Sequence, residues 1–277
     1  MNATHPALTL ERSRRRLLPV RLSLSAVLLA AGLSLHGRDA DLFTRMNASL
    51  NALPGPLLPT LWSLLSVAGL GLSVFIVLVA LHRGREARSM RPISALLWSF
   101  PIGGGLTHLF KRLIEQPRPA AVLPPEALTV IGHPLLSGAM PSGHAVTALA
   151  LAGLLLTRPR SPLQRALIIA GTLALLLARV AVGAHWPADL FAGAALGLLT
   201  ATWAWQLAGH SALTRWLCTR PGQLVLALGQ LVCGLAIARI ETGYPAALPL
   251  QAVLAVLSIA AGLHRTASAL GERSTPP

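Results

Sequence analysis

Long apolar runs recur along the whole chain, and the short segments between them hold nearly all of its charge. A helix that crosses a ~30 Å hydrocarbon core needs about 20 apolar residues. Runs of that kind fall at about 18–36, 57–81, 92–110, 142–158, 165–183, 188–208, 222–240 and 247–263. They predict an all-α, polytopic transmembrane helix bundle of about eight spans, with no room for a sizeable soluble domain. The first run follows "ERSRRR" and has the basic start of a secretory signal, but no clear small-x-small cleavage site follows, so it is read as a span. Between the first two runs Leu42, Phe43, Met46, Leu50 and Leu53 recur at helical spacing, with Arg38, Asp39, Asp41 and Arg45 at the start of the segment. That pattern fits either a short helix in the outer interface or an ordinary connecting loop.

Composition supports the membrane reading. Of the 277 residues 53% are hydrophobic and 12% charged, and the mean hydropathy is +0.63. An ordinary soluble domain could not cover its surface with so few polar groups. A net charge of +14 would point to nucleic acid in a soluble protein; here the placement of the charge matters more, and no nucleic-acid partner is expected. Arginines crowd alternate connections: Arg12, Arg14, Arg15 and Arg16; Arg83, Arg85, Arg88 and Arg91; Arg158, Arg160 and Arg165; Arg215 and Arg220; and Arg265 and Arg273. With both termini in the cytoplasm, all of these lie inside. The two cysteines, Cys218 and Cys233, fall in an inner connection and inside a span, and are expected to be free thiols.

Three polar clusters then share the opposite, outer face. Ionisable groups in or beside spans are costly and tend to face a cavity or a partner. In "KRLIEQPRP", Lys111 and Arg118 are separated by six residues, and Pro117 and Pro119 prevent a helix from running through. Two cations can therefore converge from different backbone directions, as an anion site would need, or simply snorkel to the interface. Lys111 is the only lysine among the 23 basic residues, a compact ammonium in a chain that otherwise uses the planar guanidinium fork. In "MPSGHAV", Pro141, Ser142 and Gly143 read as a capped helix start whose free N–H groups and positive dipole end point outward. Gly143 lets the backbone approach a ligand. His144 sits in that first turn, either hydrogen-bonded as a structural residue or placed to pass a proton to a leaving oxygen.

The third cluster is "LLLARVAVGAHWPADLFAGAALG". Gly183 can close one helix with Arg179 in its last turn, and Pro187 suits the first position of the next. On that register His185 lies at the joint, and Asp189, at the third position, can hold one imidazole nitrogen and leave the other free. The alternative is a salt bridge of Arg179 with Asp189 that joins two spans. Together, three cations, a helix N-terminus, two histidines and one carboxylate suit phosphoryl transfer, in which catalysis is mainly positioning and electrostatic stabilisation of charge on equatorial oxygens. Asp189 is the one acid of the set, so no metal or other cofactor is expected.

The segments "KRLIEQPRP", "PSGH" and "ARVAVGAHWPAD" resemble the three signature motifs of the type 2 phosphatidic acid phosphatase superfamily, the integral-membrane lipid phosphate phosphatases. One position departs: Ala178 stands where the family has Ser, which removes a hydroxyl able to bond phosphate or Arg179. The resemblance implies a six-helix phosphatase core over 18–208. A basic cytoplasmic N-terminus over 1–17 would precede it, and an additional transmembrane hairpin with a cytoplasmic tail over 209–277 would follow. It implies that His185 attacks phosphorus to form a phosphohistidine, that Asp189 orients it, and that His144 protonates the departing oxygen. Lys111, Arg118, Ser142, Gly143 and Arg179 would bind the phosphate.

The expectation is a metal-independent lipid phosphatase in a bacterial-type inner membrane, with its site on the periplasmic or extracellular face. An undecaprenyl diphosphate, a phosphatidylglycerol phosphate, a phosphatidic acid and a lipid A phosphate all fit as substrate. A lipid-phosphate-binding or transport protein on the same fold is the non-enzyme alternative, although binding alone would not require both histidines. Arg239, Glu241, Tyr244 and Gln251 place polar groups near the last outer connection, where they either touch the substrate or merely face water, and the second reading is preferred.

Overall fold

The computed structural model describes residues 6–271, and their side chains from residue 18 onward. The basic cluster at 12–16 and Arg273, placed inside by the charge pattern, lie outside the described side chains. The described chain is all helical. In order the helices are α1 (Pro6–Leu35), α2 (Ala40–Leu50), α3 (Leu57–Ala68), α4 (Gly71–Leu81), α5 (Ala87–Ser99), α6 (Gly105–Ile114), α7 (Pro119–Val122) and α8 (Gly143–Leu155). They continue as α9 (Pro162–Ala181), α10 (Pro187–His210), α11 (Ala212–Trp216), α12 (Arg220–Arg239) and α13 (Leu248–Gly271).

Each of the eight apolar runs is helical, but six of them form continuous helices long and apolar enough to cross a bilayer, and the chain is an integral membrane protein. Two runs differ from the expected unbroken spans. The run at 57–81 is broken between α3 and α4, which meet at 69°. Ser73 Oγ donates to the Val67 carbonyl at 2.6 Å and Leu70 N–H turns back to the same carbonyl, so the end of α3 is capped inside the protein. The run at 142–158 yields only α8, whose 13 residues rise about 20 Å. That is shorter than a ~30 Å crossing needs. In the third run a π-helical turn, Phe100–Gly104, joins α5 to α6, where Pro101 lacks the N–H a regular turn would use.

Helix α10 is the centre of the bundle, packed by α1, α5 and α8. Its approach to α8 runs along small residues. A Cβ at Gly193 would lie 2.5 Å from the Ser142 carbonyl oxygen, one at Gly197 2.5 Å from that of Val146, and one at Gly153 of α8 2.6 Å from Ala201 Cβ. With no side chains in the way, the two backbones lie almost in contact, as small residues allow in membrane bundles. The last helices, α12 and α13, form an antiparallel hairpin against α4.

The ends of the bundle differ. At one end Arg21 donates to Gly153 O, Arg91 to Trp205 O, and Arg265 to Val79 O and His82 O, so the arginine-rich connections are gathered there. The connections around 36–56, 115–142, 182–187 and 240–247 are gathered at the other. Helix α2 does form, but its inner face is not lipid-facing: Phe43 and Asn47 are fully buried. Phe43 meets Trp186 edge-to-face at 5.2 Å, and Asn47 donates to the carbonyls of Thr129, Val180 and Ala181 while accepting from Thr129 N–H.

Candidate active site

Helix α9 ends in a Schellman turn. Gly183, with φ +74°, donates to Val180 O, and Ala184 donates to Arg179 O. A side chain at Gly183 would also strike the Thr129 carbonyl at 2.8 Å. His185 N–H donates to the same Arg179 carbonyl at 3.2 Å, so the turn that ends α9 also fixes the backbone of the histidine. Helix α10 begins with Pro187 at its first position and Asp189 at its third. Asp189 Oδ2 accepts from Trp186 N–H at 2.9 Å and faces His185 Nδ1 at 3.2 Å. Asp39, at the start of α2, accepts from Ala188 N–H, supplying the remaining cap.

The other two clusters converge on this joint. α6 stops at Ile114, Glu115 takes the left-handed conformation, and the chain doubles back so that Arg118 is buried. Arg118 donates from Nε to Ser137 O, from Nη2 to Gly138 O and from Nη1 to Ala184 O. Lys111 Nζ donates to the same Gly138 carbonyl, so both cations of the first cluster close on one peptide group. Trp186 Nε1 donates to Pro117 O at 2.8 Å and ties the first cluster to the third. Ser142 caps α8 and donates its N–H to Asp189 O at 3.0 Å, which ties the second to the third. At Gly143 a Cβ would meet only the Thr107 methyl at 3.7 Å, so packing does not require glycine there.

Arg118 Nη1 also lies 3.3 Å from His185 Nε2. A guanidinium only donates, so Nε2 accepts, Nδ1 bears the proton, and that proton goes to Asp189. Burial, then the positive charges of Arg118, Arg179 and Lys111, hold the His185 imidazole well below the ordinary histidine value of 6.5. The ring is therefore neutral at pH 7, with its lone pair aimed among cations.

Arg179 is buried and donates from Nη1 to Ser66 Oγ at 2.8 Å and to Tyr244 Oη at 3.1 Å. It makes no salt bridge with Asp189 among the described residues. His144 Nε2 donates to the Ser66 carbonyl at 3.0 Å. Ser66 thus holds both groups, and the break after α3 explains how: Leu70 N–H turns to Val67 O, so the Ser66 carbonyl has no helical partner and takes the histidine. A cavity of about 500 Å³ runs from His144 between α4, α5 and α8, lined by Leu70, Val74, Leu96, Phe100 and Leu151 among others. No group of three or more His, Cys, Asp or Glu positioned to hold a metal ion occurs among the described residues.

The structure thus brings all eight sequence-derived site residues into one connected set at the arginine-poor end. Sequence reasoning missed Ser66, which sits in an apolar run with nothing to mark it, and Asn47, Asp39 and Trp186, which act through backbone bonds. It also placed Tyr244 and Gln251 in water, whereas Tyr244 turns inward to Arg179 and Gln251 is buried, donating to Ile237 O and Ile240 O.

Fold and site together are those of a helical membrane protein in which Lys111, Arg118 and Arg179 are gathered about a neutral histidine. Residues 92–212 match the family model described as the PAP2 superfamily. That stretch, which contains all three polar clusters, is similar to the superfamily. Among solved structures, the crystal structure of Aquifex aeolicus LpxE is similar at a TM-score of 0.50 and 21% sequence identity, over 58% of this chain and 93% of that one; the likeness is one of fold. No curated protein matches the chain.

Proposed function

We propose that the protein removes a terminal phosphate from a membrane lipid phosphate monoester or diphosphate through a phosphohistidine on His185. The observation that carries this reading is the Asp189–His185–Arg118 line, which presents a neutral nitrogen lone pair beside three cations. In the first displacement His185 Nε2 attacks phosphorus and the bond from phosphorus to the lipid oxygen breaks. Lys111, Arg118, Arg179 and the α8 N-terminus at Ser142 and Gly143 take up the oxyanion charge. Asp189 holds the Nδ1 proton and stabilises the imidazolium as it forms. His144 gives a proton to the departing oxygen. With Nε2–H engaged by Ser66, the proton given is one carried on Nδ1, so His144 enters this step as the imidazolium and leaves it neutral. In the second displacement water attacks the phosphohistidine, His144 takes the proton, the P–N bond breaks, and phosphate leaves with His185 restored.

The cavity beside His144 supports a hydrocarbon-bearing substrate, since it is lined mostly by apolar side chains within the bundle. The gathering of arginines at the opposite end supports a site on the periplasmic or extracellular face of a bacterial-type inner membrane. The test is phosphate release by the detergent-purified protein from a panel of undecaprenyl diphosphate, phosphatidylglycerol phosphate, phosphatidic acid and lipid A, with and without EDTA. Turnover insensitive to EDTA, with a base-stable, acid-labile phosphoprotein that His185→Ala abolishes, is the expected result. Phosphate binding without turnover on any lipid would favour the binding-protein reading instead, and turnover retained in His185→Ala would remove the nucleophile.

A further inference from the structure

Tyr244 lies in the connection between α12 and α13, beyond residues 92–212, yet its hydroxyl accepts a hydrogen bond from Arg179 at 3.1 Å. A guanidinium has five N–H donors in a fixed plane: two on each Nη and one on Nε. Both Nη1 protons of Arg179 are taken, one by Ser66 Oγ and one by Tyr244 Oη. Arg179 Nε is buried and has no hydrogen-bond partner among the described residues. The Nε edge with Nη2 is therefore the part of the fork left over, and this edge is the one that meets two oxygens of a phosphate side by side.

Tyr244 is itself held firmly. Its ring packs with Trp62, Ala178 and Ala181, and the bare Cα of Gly132 faces it: a Cβ there would sit 3.1 Å from the ring and 2.4 Å from Gly243 O. The hairpin connection and the 128–133 loop thus close on each other. That loop is tied in turn to α9 through Ile131 N–H and the Val182 carbonyl.

We infer that Tyr244 is a positioning residue of the phosphate site. With Ser66 it fixes the rotation of the Arg179 guanidinium so that the Nε edge faces the anion, and the C-terminal hairpin thereby completes the site. Resting on the proposed phosphatase reading, this predicts that the hairpin sets phosphate affinity without touching the reacting atoms.

The experiment uses the full-length protein in detergent with inorganic phosphate as the probe, and reads the rise in melting temperature at increasing phosphate for wild type, Tyr244→Phe and Ser66→Ala. Because each variant is compared with its own phosphate-free melting point, a change in basal stability does not obscure the result. Tyr244→Phe keeps the ring and removes only the acceptor, and is expected to need about tenfold more phosphate for the same rise, as is Ser66→Ala. A Tyr244→Phe response at wild-type phosphate concentrations overturns the inference, and so does a wild-type protein that phosphate does not stabilise. Failure of the phosphatase reading looks different: there the phosphate response would depend on Tyr244 while no lipid is turned over.

Discussion

Arg118 and His185 stand 3.3 Å apart, guanidinium to imidazole, and the contact assigns the tautomer of the histidine, because an arginine offers no acceptor. The proton on Nδ1 must then go to Asp189, and the nitrogen left for chemistry is the one beside the cations. The cation proposed to bind the substrate phosphate would thus also set the protonation geometry of the proposed nucleophile.

Replacing the carboxylate tests that geometry. Asp189→Asn keeps the shape of the side chain but removes its charge and offers an amide that can turn its donor toward the histidine. We expect kcat to fall by about 10²–10⁴ with the melting temperature little changed, measured as lipid phosphate release beside a detergent thermal-shift assay. Wild-type kcat would show that Asp189 does not orient His185.

The pH profile follows from the depressed His185 titration. Attack needs the neutral ring, so kcat/KM rises with pH through the folded value, and that acid limb should lie below 6.5, the ordinary histidine value. The stability effect has the same sign. Between the folded value and 6.5 the unfolded chain binds a proton that the folded protein does not, so stability is undiminished above about 6.5 and declines as pH falls below it. A limb centred above 6.5 in kcat/KM measured from pH 4.5 to 8 would contradict the assignment.

Two glycines should behave oppositely on substitution by alanine. At Gly193 the new Cβ would lie 2.5 Å from the Ser142 carbonyl oxygen, so Gly193→Ala should force α8 and α10 apart, cost about 1–3 kcal/mol or more and lower the melting point. At Gly143 the Cβ would meet only a methyl at 3.7 Å, so Gly143→Ala should keep the wild-type melting point and instead lose activity, roughly tenfold, where phosphate approaches the α8 N-terminus. An unchanged kcat/KM in Gly143→Ala would remove Gly143 from the site.

Asn47 should matter to stability far more than its place in a surface helix implies. Asn47→Leu leaves the backbone N–H and carbonyl of Thr129 without their side-chain partner and removes one donor from each of the Val180 and Ala181 carbonyls, which keep Gly183 N–H and Asn51 Nδ2, at a cost of about 1–3 kcal/mol. A fall of several degrees in melting temperature is expected, with phosphate release lost at lower temperature than in wild type. A variant as stable as wild type would show that water replaces these bonds readily.

By itself the sequence determined the helical membrane class, the positions of the apolar runs and the three clusters, because hydrophobic run length and the punctuation by Gly183, Pro187 and Pro119 are local signals. The register of Arg179, His185 and Asp189 was legible for the same reason: a Schellman glycine and a proline at the first helical position fix it within a dozen residues. What only the tertiary structure decided was which groups hold the clusters together. Ser66 serves the site through a carbonyl freed by a helix break and through its hydroxyl, and Asn47 and Asp39 serve it through backbone bonds to segments far away in the chain. Tyr244 reaches Arg179 across 65 positions of sequence. Such partners carry no periodic or spacing signal, because a hydrogen bond between distant segments depends on where the close α8–α10 packing sets the helices and not on the neighbours of either residue in the chain.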